Sequence, residues 1–356
     1  MTHSPSSTSI RRRAVLALLR LFASRGHGEP PLNPASLHRV LLMRYDRIGD
    51  MVITTPLIDA LQQIAPQCEI DVLASPVNAP VLRDDPRVAH TWIWPGNILG
   101  RLQTIRACRR RRYDLVLQLI LGRTTLPALL AGLLAPHGRT VGNSVAGQEF
   151  MMNYVSNTAG EHFSDRTFAV LNGAVALDAP LRRPPYRLIV PENDRRSVAE
   201  RLEAAGLAGR RFIMLNISAG TPDRELRDHQ NIELARELAR FGCAVAVTGA
   251  PGYRDAVERI ATAAGAVPLV FGSILAAAEA LGHACLLVSP DTGTIHVASA
   301  MGTPVVALFP SSGNPAGWRP EGVPCRVIAV PSEFVADVHL AEVIGAVRDL
   351  IDTEAG

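Results

Sequence analysis

Short apolar runs bounded by charged or turn-forming positions recur along most of this chain, alternating with stretches in which apolar residues return every three or four positions. The runs read as buried strands and the second spacing as helices hiding one face. Residues 40–43 (Val-Leu-Leu-Met) form the first strand, followed after a polar turn by a helical pattern reaching about residue 64; strands at 69–74, 91–94 and 113–119 come next, separated by helical patterns. Residues 180–191, with Arg182-Arg183-Pro184-Pro185 inside them, interrupt both periods and read as a linker. The alternation then restarts, with strands at 212–216, 243–248, 269–271, 285–289 and 305–309 and helices at 232–241, 253–264, 274–282 and 294–301.

Two successive strand–helix series predict an α/β protein of two Rossmann-like, doubly wound domains facing each other across a cleft. The expected division is a basic N-terminal segment (1–37), a first domain (38–180), a linker (181–191) and a second domain (192–356). The last helical pattern, 335–351, is compatible with staying on the second domain or crossing back to the first.

Composition narrows the class. At 356 residues, 47% hydrophobic and 19% charged, the chain has the make-up of a globular protein with enough length for two cores. A net charge of +3 gives no reason to expect a nucleic-acid partner, but all 36 basic residues are arginine, so any phosphate-binding cation is Arg or His. The five cysteines are scattered without a C-x-x-C pair, which suggests neither a disulfide framework nor a zinc site and fits a reducing cytoplasm. No apolar run reaches the roughly 18 residues needed to span a bilayer. Near the start, Arg11-Arg12-Arg13 precedes the apolar stretch 14–23. That segment is expected to be a short basic amphipathic helix, either lying on the anionic cytoplasmic leaflet of the inner membrane or docked as a terminal helix.

Three turns carry candidate chemistry. The first, Arg44-Tyr45-Asp46-Arg47-Ile48-Gly49-Asp50, follows the opening strand, where open α/β sheets keep their ligands. The second, Ser289-Pro290-Asp291-Thr292-Gly293-Thr294-Ile295-His296, leads from a buried strand into a helix. Asp291 or Thr292 is expected to cap that helix, and Gly293 to admit an anion to its backbone N–H groups; the competing reading is a capped helix with His296 as a core residue. The third, Asn216 to Arg224 with Ser218 and Gly220, is suited to cradling a pyrophosphate on Arg224, or is an ordinary Gly/Pro-rich loop. A further loop, Phe309 to Pro320, contains Trp318, which meets a base or sugar or simply pins the loop.

The strings R-Y-D-R-I-G-D-M-V-I-T-T-P, S-P-D-T-G-T-I-H-V-A-S-A-M-G-T-P and N-P-A-G-W-R-P together resemble glycosyltransferase family nine, the ADP-heptose:lipopolysaccharide heptosyltransferases, over about residues 39–328. The resemblance implies a GT-B fold, with the acceptor held mainly by the first domain and the nucleotide-sugar donor by the second. It puts Asp50 at the position of the catalytic base of an inverting transfer that needs no metal or cofactor. Arg224, Ser218, Gly220, Asp291, Thr292 and Gly293 then form the donor pyrophosphate site, with His296 supporting the turn. Gly49 would let Asp50 approach the sugar, while Arg47 contacts the acceptor, orients Asp50 or forms a surface pair with Asp46. The implied acceptor is a lipid-linked or envelope glycan, on the cytoplasmic side. One departure stands out: where many relatives carry a lysine, an aromatic and a proline, this chain has Arg224-Glu225-Leu226-Arg227, which leaves open how the loop is held. Two other classes share the scaffold, a nucleotide-sugar epimerase or hydrolase and an inactive nucleotide-sugar-binding homologue.

Overall fold

The computed structural model of the chain describes residues 29, 31–121, 125–143, 149–156 and 160–353; the basic helix expected at 11–23 lies outside them. The chain forms two compact units, one of Met1–Asp46, Pro56–Ala79 and Asp85–Pro184, the other of Arg47–Thr55, Pro80–Asp84 and Pro185–Gly356. Among the described residues no helix is long and apolar enough to cross a membrane.

The first unit is built on six parallel strands, β1 (Arg39–Arg44), β2 (Glu69–Ala74), β3 (His90–Ile93), β4 (Leu115–Gln118), β5 (Arg139–Asn143) and β6 (Tyr154–Ser156), in the order β3-β2-β1-β4-β5-β6. Val40 to Met43 at its centre are fully buried, as strands covered on both faces must be. After β1 come helices α1 (Ile48–Val52) and α2 (Thr55–Ile64); α3 (Ile98–Arg111), α4 (Thr125–Leu134) and α5 (Phe163–Ala174) complete the series.

The helix expected to run unbroken to residue 64 is interrupted after Val52. Ile53, Thr54 and Thr55 are β-branched and Pro56 lacks a backbone donor. The Thr54 hydroxyl donates to the Asp50 carbonyl (2.8 Å), and the Thr55 hydroxyl to the Val52 carbonyl (2.8 Å), which a continuing helix would leave without a donor because the residue four positions on is Pro56.

In the second unit, β7 (Phe212–Asn216), β8 (Ala244–Thr248), β9 (Val267–Leu269), β10 (Leu286–Pro290), β11 (Val305–Phe309) and β12 (Cys325–Ala329) lie in the order β12-β11-β10-β7-β8-β9. Counted from its own first strand this is the same winding as the first sheet, so both units are doubly wound in the Rossmann sense. Its helices are α6 (Glu192–Ala204), α7 (Asp228–Ala239), α8 (Arg254–Ala264), α9 (Ile274–Gly282), α10 (Gly293–Met301), α11 (Pro315–Trp318) and α12 (Leu340–Thr353). The last helix puts Val343, Val347, Leu350 and Ile351 into the core of this second unit, an i, i+4, i+7, i+8 stripe. The strand expected at 269–271 lies two residues earlier. Val270 and Phe271 are buried but follow the last ladder pair, Thr248 with Leu269, so their apolar character reflects packing and not strand pairing.

One charged side chain anchors the first unit. Arg44, at the end of β1, is 1% exposed. Its guanidinium donates to Asp46 Oδ2 (3.1 Å), the Leu119 carbonyl (2.6 Å) and Thr167 Oγ1 (2.9 Å), while Asn78 Nδ2 donates to the Arg44 carbonyl (2.9 Å). The turn after β1 is thereby tied to the loop after β4 and to α5. Asp46 is therefore paired with Arg44. Arg44→Met should cost about 3–5 kcal/mol, because it leaves the Asp46 carboxylate without its buried cation; urea unfolding of the two proteins measures it.

Candidate active site

The strand order of the second unit's parallel sheet reverses between β7 and β10. In an open parallel sheet that is where the loops at the carboxyl ends of two adjacent strands diverge and leave room for a ligand. Three of the sequence clusters meet there: the turn from β10 into α10, the loop after β7, and α1, which belongs to this unit.

α1 lies against α10. A Cβ on Gly49 would stand 2.8 Å from His296 Cδ2 and 3.2 Å from Gly293 Cα, and one on Gly293 would stand 2.9 Å from the Gly49 backbone N. Each glycine thus leaves the space the other's chain occupies. Gly293 turns its missing side chain toward α1, and Gly49 turns its own toward α10, so both glycines serve this helix contact. Asp50, half-buried, is the residue that follows Gly49 and so lies next in the chain to this contact. His296 is buried and stands edge-on to Trp318 (5.8 Å between ring centroids) and Tyr186 (6.4 Å). Trp318 accordingly pins the α11 loop to α10. Tyr186, whose hydroxyl donates to Glu321 (2.9 Å), sits in the proline-rich linker, where no periodicity marked it.

The expected side-chain cap of α10 is absent. Thr292 occupies the N-cap position without a capping hydrogen bond, and Asp291 turns instead to Arg224, whose Nη1 donates to its Oδ2 at 2.7 Å. Burial pushes the Asp291 carboxyl above the usual aspartate range, and the positive charges of Arg224 and Arg47 pull it back. Arg47, exposed at the start of α1, and Arg224 thus share one electrostatic neighbourhood with the first turn of α10, whose backbone donors and dipole also favour an anion.

The loop after β7 is held from within. Asn216 Nδ2 reaches Ser289 Oγ (3.0 Å) on β10 and the Ser218 carbonyl (3.0 Å), while the Ser218 hydroxyl donates to Asn216 Oδ1 (3.0 Å) and accepts from the Ala250 N–H (2.9 Å). The Ser218 hydroxyl, expected on a phosphate, is engaged in joining two loops. Glu225 accepts from the Ala219 N–H (3.1 Å) and from the Tyr253 hydroxyl. That carboxylate does the holding for which the aromatic and proline of relatives were expected; Glu225 and Tyr253 escaped the sequence reading because their partners lie six and 28 positions away. Gly220 is exposed with nothing near its Cβ position, so its side of the loop is open. Among the described residues no group of three or more His, Cys, Asp or Glu side chains is arranged to hold a metal ion.

The profile of glycosyltransferase family 9 (heptosyltransferase) matches residues 101–339. The chain belongs to this family. The match takes in Ser218–Arg224 and Asp291–His296, while Asp46–Asp50 precede it. Lipopolysaccharide heptosyltransferase 3 of Escherichia coli (strain K12) is 25% identical over 298 residues, covering 78% of this chain and 83% of the relative. In structure the chain is similar to the family 9 glycosyl transferase of Veillonella parvula DSM 2008 (TM-score 0.76, 20% identity, 90% of this chain and 99% of that one). It is also similar to the E. coli ADP-heptose lps heptosyltransferase II (TM-score 0.70, 22% identity, 89% and 100%). These likenesses establish the GT-B fold, and the family makes the chain a glycosyltransferase.

Two outcomes test the geometry of this family 9 site. Gly293→Ala should destabilise the second unit by about 1–3 kcal/mol, and by more than Gly49→Ala, since its nearest obstacle is backbone and that of Gly49 is an imidazole edge; denaturant midpoints compare them. Arg224→Gln should cost about 2 kcal/mol at pH 7. Losing the guanidinium raises the already raised folded-state pKa of Asp291 further above its unfolded value. The deficit is then full at neutral pH and shrinks as the pH falls through the folded value toward the ordinary aspartate value of about 4. Parallel melts at pH 7 and near pH 4 check the sign.

Proposed function

We propose that the chain is an inverting, metal-independent heptosyltransferase that moves L-glycero-D-manno-heptose from ADP-heptose onto a lipopolysaccharide core or related envelope glycan at the cytoplasmic face of the inner membrane. The observation that supports this reading is the Gly49–Gly293 contact, by which the segment carrying Asp50 meets the first turn of α10, a turn that has no side-chain cap and whose Asp291 feels the charges of Arg224 and Arg47.

The chemistry follows from those parts. Asp50 takes the proton of the acceptor hydroxyl as its oxygen forms a bond to the anomeric carbon, and the bond from that carbon to the diphosphate oxygen breaks on the opposite face. Negative charge growing on the leaving diphosphate is met by the backbone N–H groups at Thr292 and Gly293, by Arg47 and by Arg224, donors set in place beforehand. Asp291 sets the direction of Arg224, Ser218 and Gly220 shape the loop, and His296 holds the turn through its ring contacts. The donor and acceptor are taken from the names of the similar enzymes, ADP-heptose from the E. coli heptosyltransferase II and lipopolysaccharide from heptosyltransferase 3.

Transfer from ADP-heptose to a truncated lipopolysaccharide acceptor tests the reading. Asp50→Asn should lower kcat by about 10²–10⁴-fold while leaving donor affinity, measured by calorimetry, within about two-fold. EDTA should leave the parent rate unchanged, and the product should carry the anomeric configuration opposite to the donor's. An Asp50→Asn rate equal to the parent's removes Asp50 as the base. Thermal stabilisation by a UDP- or GDP-sugar in preference to ADP-heptose replaces the donor.

A further inference from the structure

α3 buries Cys108 against the first unit's core. At about 100° per residue, Ile98, Leu99, Leu102, Arg106, Arg109 and Arg110 fall within one arc on another side of the helix, and all six are exposed, the three apolar ones by 76%, 68% and 58%. No acidic residue occurs between Ile98 and Arg111. The neighbouring α4, packed against α3, adds Leu126 and Leu133, 74% and 50% exposed. Five of the eight exposed large hydrophobic residues among those described thus lie on two adjacent helices, a concentration that solvent alone does not explain.

The arginines divide by role. Arg111 turns inward, its Nε donating to the buried carboxylate of Asp71 (3.0 Å) and its Nη2 to Glu69 (3.0 Å). Arg106, Arg109, Arg110 and Arg112 instead line an open groove of roughly 470 Å³ with Leu102 and Ile105. Arg112 keeps its guanidinium there although its backbone is left-handed (φ 56°), where glycine is the easier residue.

We propose that this face docks on an anionic phospholipid bilayer. The apolar first turn of α3, with Leu126 and Leu133, enters the boundary between headgroups and acyl chains, and the arginines of its last turns take lipid phosphates in the groove. A surface with several guanidinium groups, no carboxylate on its helix and exposed leucines matches both parts of such a bilayer at once, charge with charge and apolar with apolar. The assignment uses only first-unit residues and is independent of the catalytic reading above and of the basic segment at 11–23.

Co-sedimentation of the full chain with vesicles tests it. At physiological salt the protein should pellet with phosphatidylethanolamine vesicles containing phosphatidylglycerol and not with pure phosphatidylcholine. Leu99→Ser with Leu102→Ser, or Arg106→Gln with Arg109→Gln and Arg110→Gln, should each lower the bound fraction about five-fold or more, with unchanged circular dichroism and melting. In a second measurement, Leu99→Trp should gain a fluorescence component quenched by lipids brominated on their acyl chains. Variants that pellet like the parent, or a Leu99→Trp signal untouched by brominated chains, overturn the proposal even if the chain binds vesicles through another segment. Loss of pelleting in the presence of millimolar inorganic phosphate overturns it too, by making the groove a site for a free anion.

Discussion

The site depends on a contact in which neither partner has a side chain. Gly49 and Gly293 let α1 and α10 approach until each occupies the volume where the other's Cβ would stand. Interiors are packed densely enough that even a methyl group must displace something, so this approach sets where Asp50 and Arg47 stand relative to the first turn of α10. The His296 ring closes the third side, its edge against Gly49 and its neighbours Tyr186 and Trp318 beyond. His296, expected only to support a phosphate turn, thereby also packs its ring edge against the glycine that precedes Asp50.

The winding of both units was legible because buried parallel strands are continuous apolar runs. Val40 to Met43, Phe212 to Asn216 and Val305 to Phe309 stand out in the sequence and are strands in the structure. Boundaries that depend on local side-chain bonds to the backbone were not legible: the break after Val52 falls where Pro56 offers that residue's carbonyl no N–H and where two threonine hydroxyls bond to helix carbonyls. The site was legible as a set of turns and illegible as a set of contacts. Asp291 reads as a helix cap in one dimension, yet its nearest cation is Arg224, 67 positions away. Tyr186 carries no pattern of its own, and only the fold brings it to His296.

A chain without lysine shows how far arginine alone can divide its labour. Arg44 and Arg87 are nearly buried, and each satisfies several of its five donors, Arg87 on Asp85 and Asp59 and Arg44 on a carboxylate, a carbonyl and a hydroxyl. Such uses rely on a planar fork that stays charged when desolvated. A lysine ammonium would meet burial by losing its proton, as burial already drives other groups here toward their neutral forms: the Tyr45 phenol and the Cys108 thiol are both pushed up to about 12. The buried cations Arg44 and Arg87 make use of that property.

An aspartate at the mouth of a proposed anion site works against its charge, but the charge count at the α10 turn resolves it. Asp291 contributes one negative charge when ionised, and Arg224 at 2.7 Å offsets it directly. Arg47 adds a second positive charge within electrostatic reach of the same carboxylate, and the uncapped first turn of α10 adds a partial one. The balance is positive with Asp291 ionised and more positive with it protonated, the direction in which its burial pushes it. Replacing Asp291 by an apolar residue would remove that negative charge and also release Arg224 from the one orientation its bond imposes. Direction is what a diphosphate needs, because a guanidinium binds through a planar fork and not as a point charge. The carboxylate thus lowers the field of the turn while holding the Arg224 guanidinium in place, a trade that favours geometry over charge at the proposed diphosphate site.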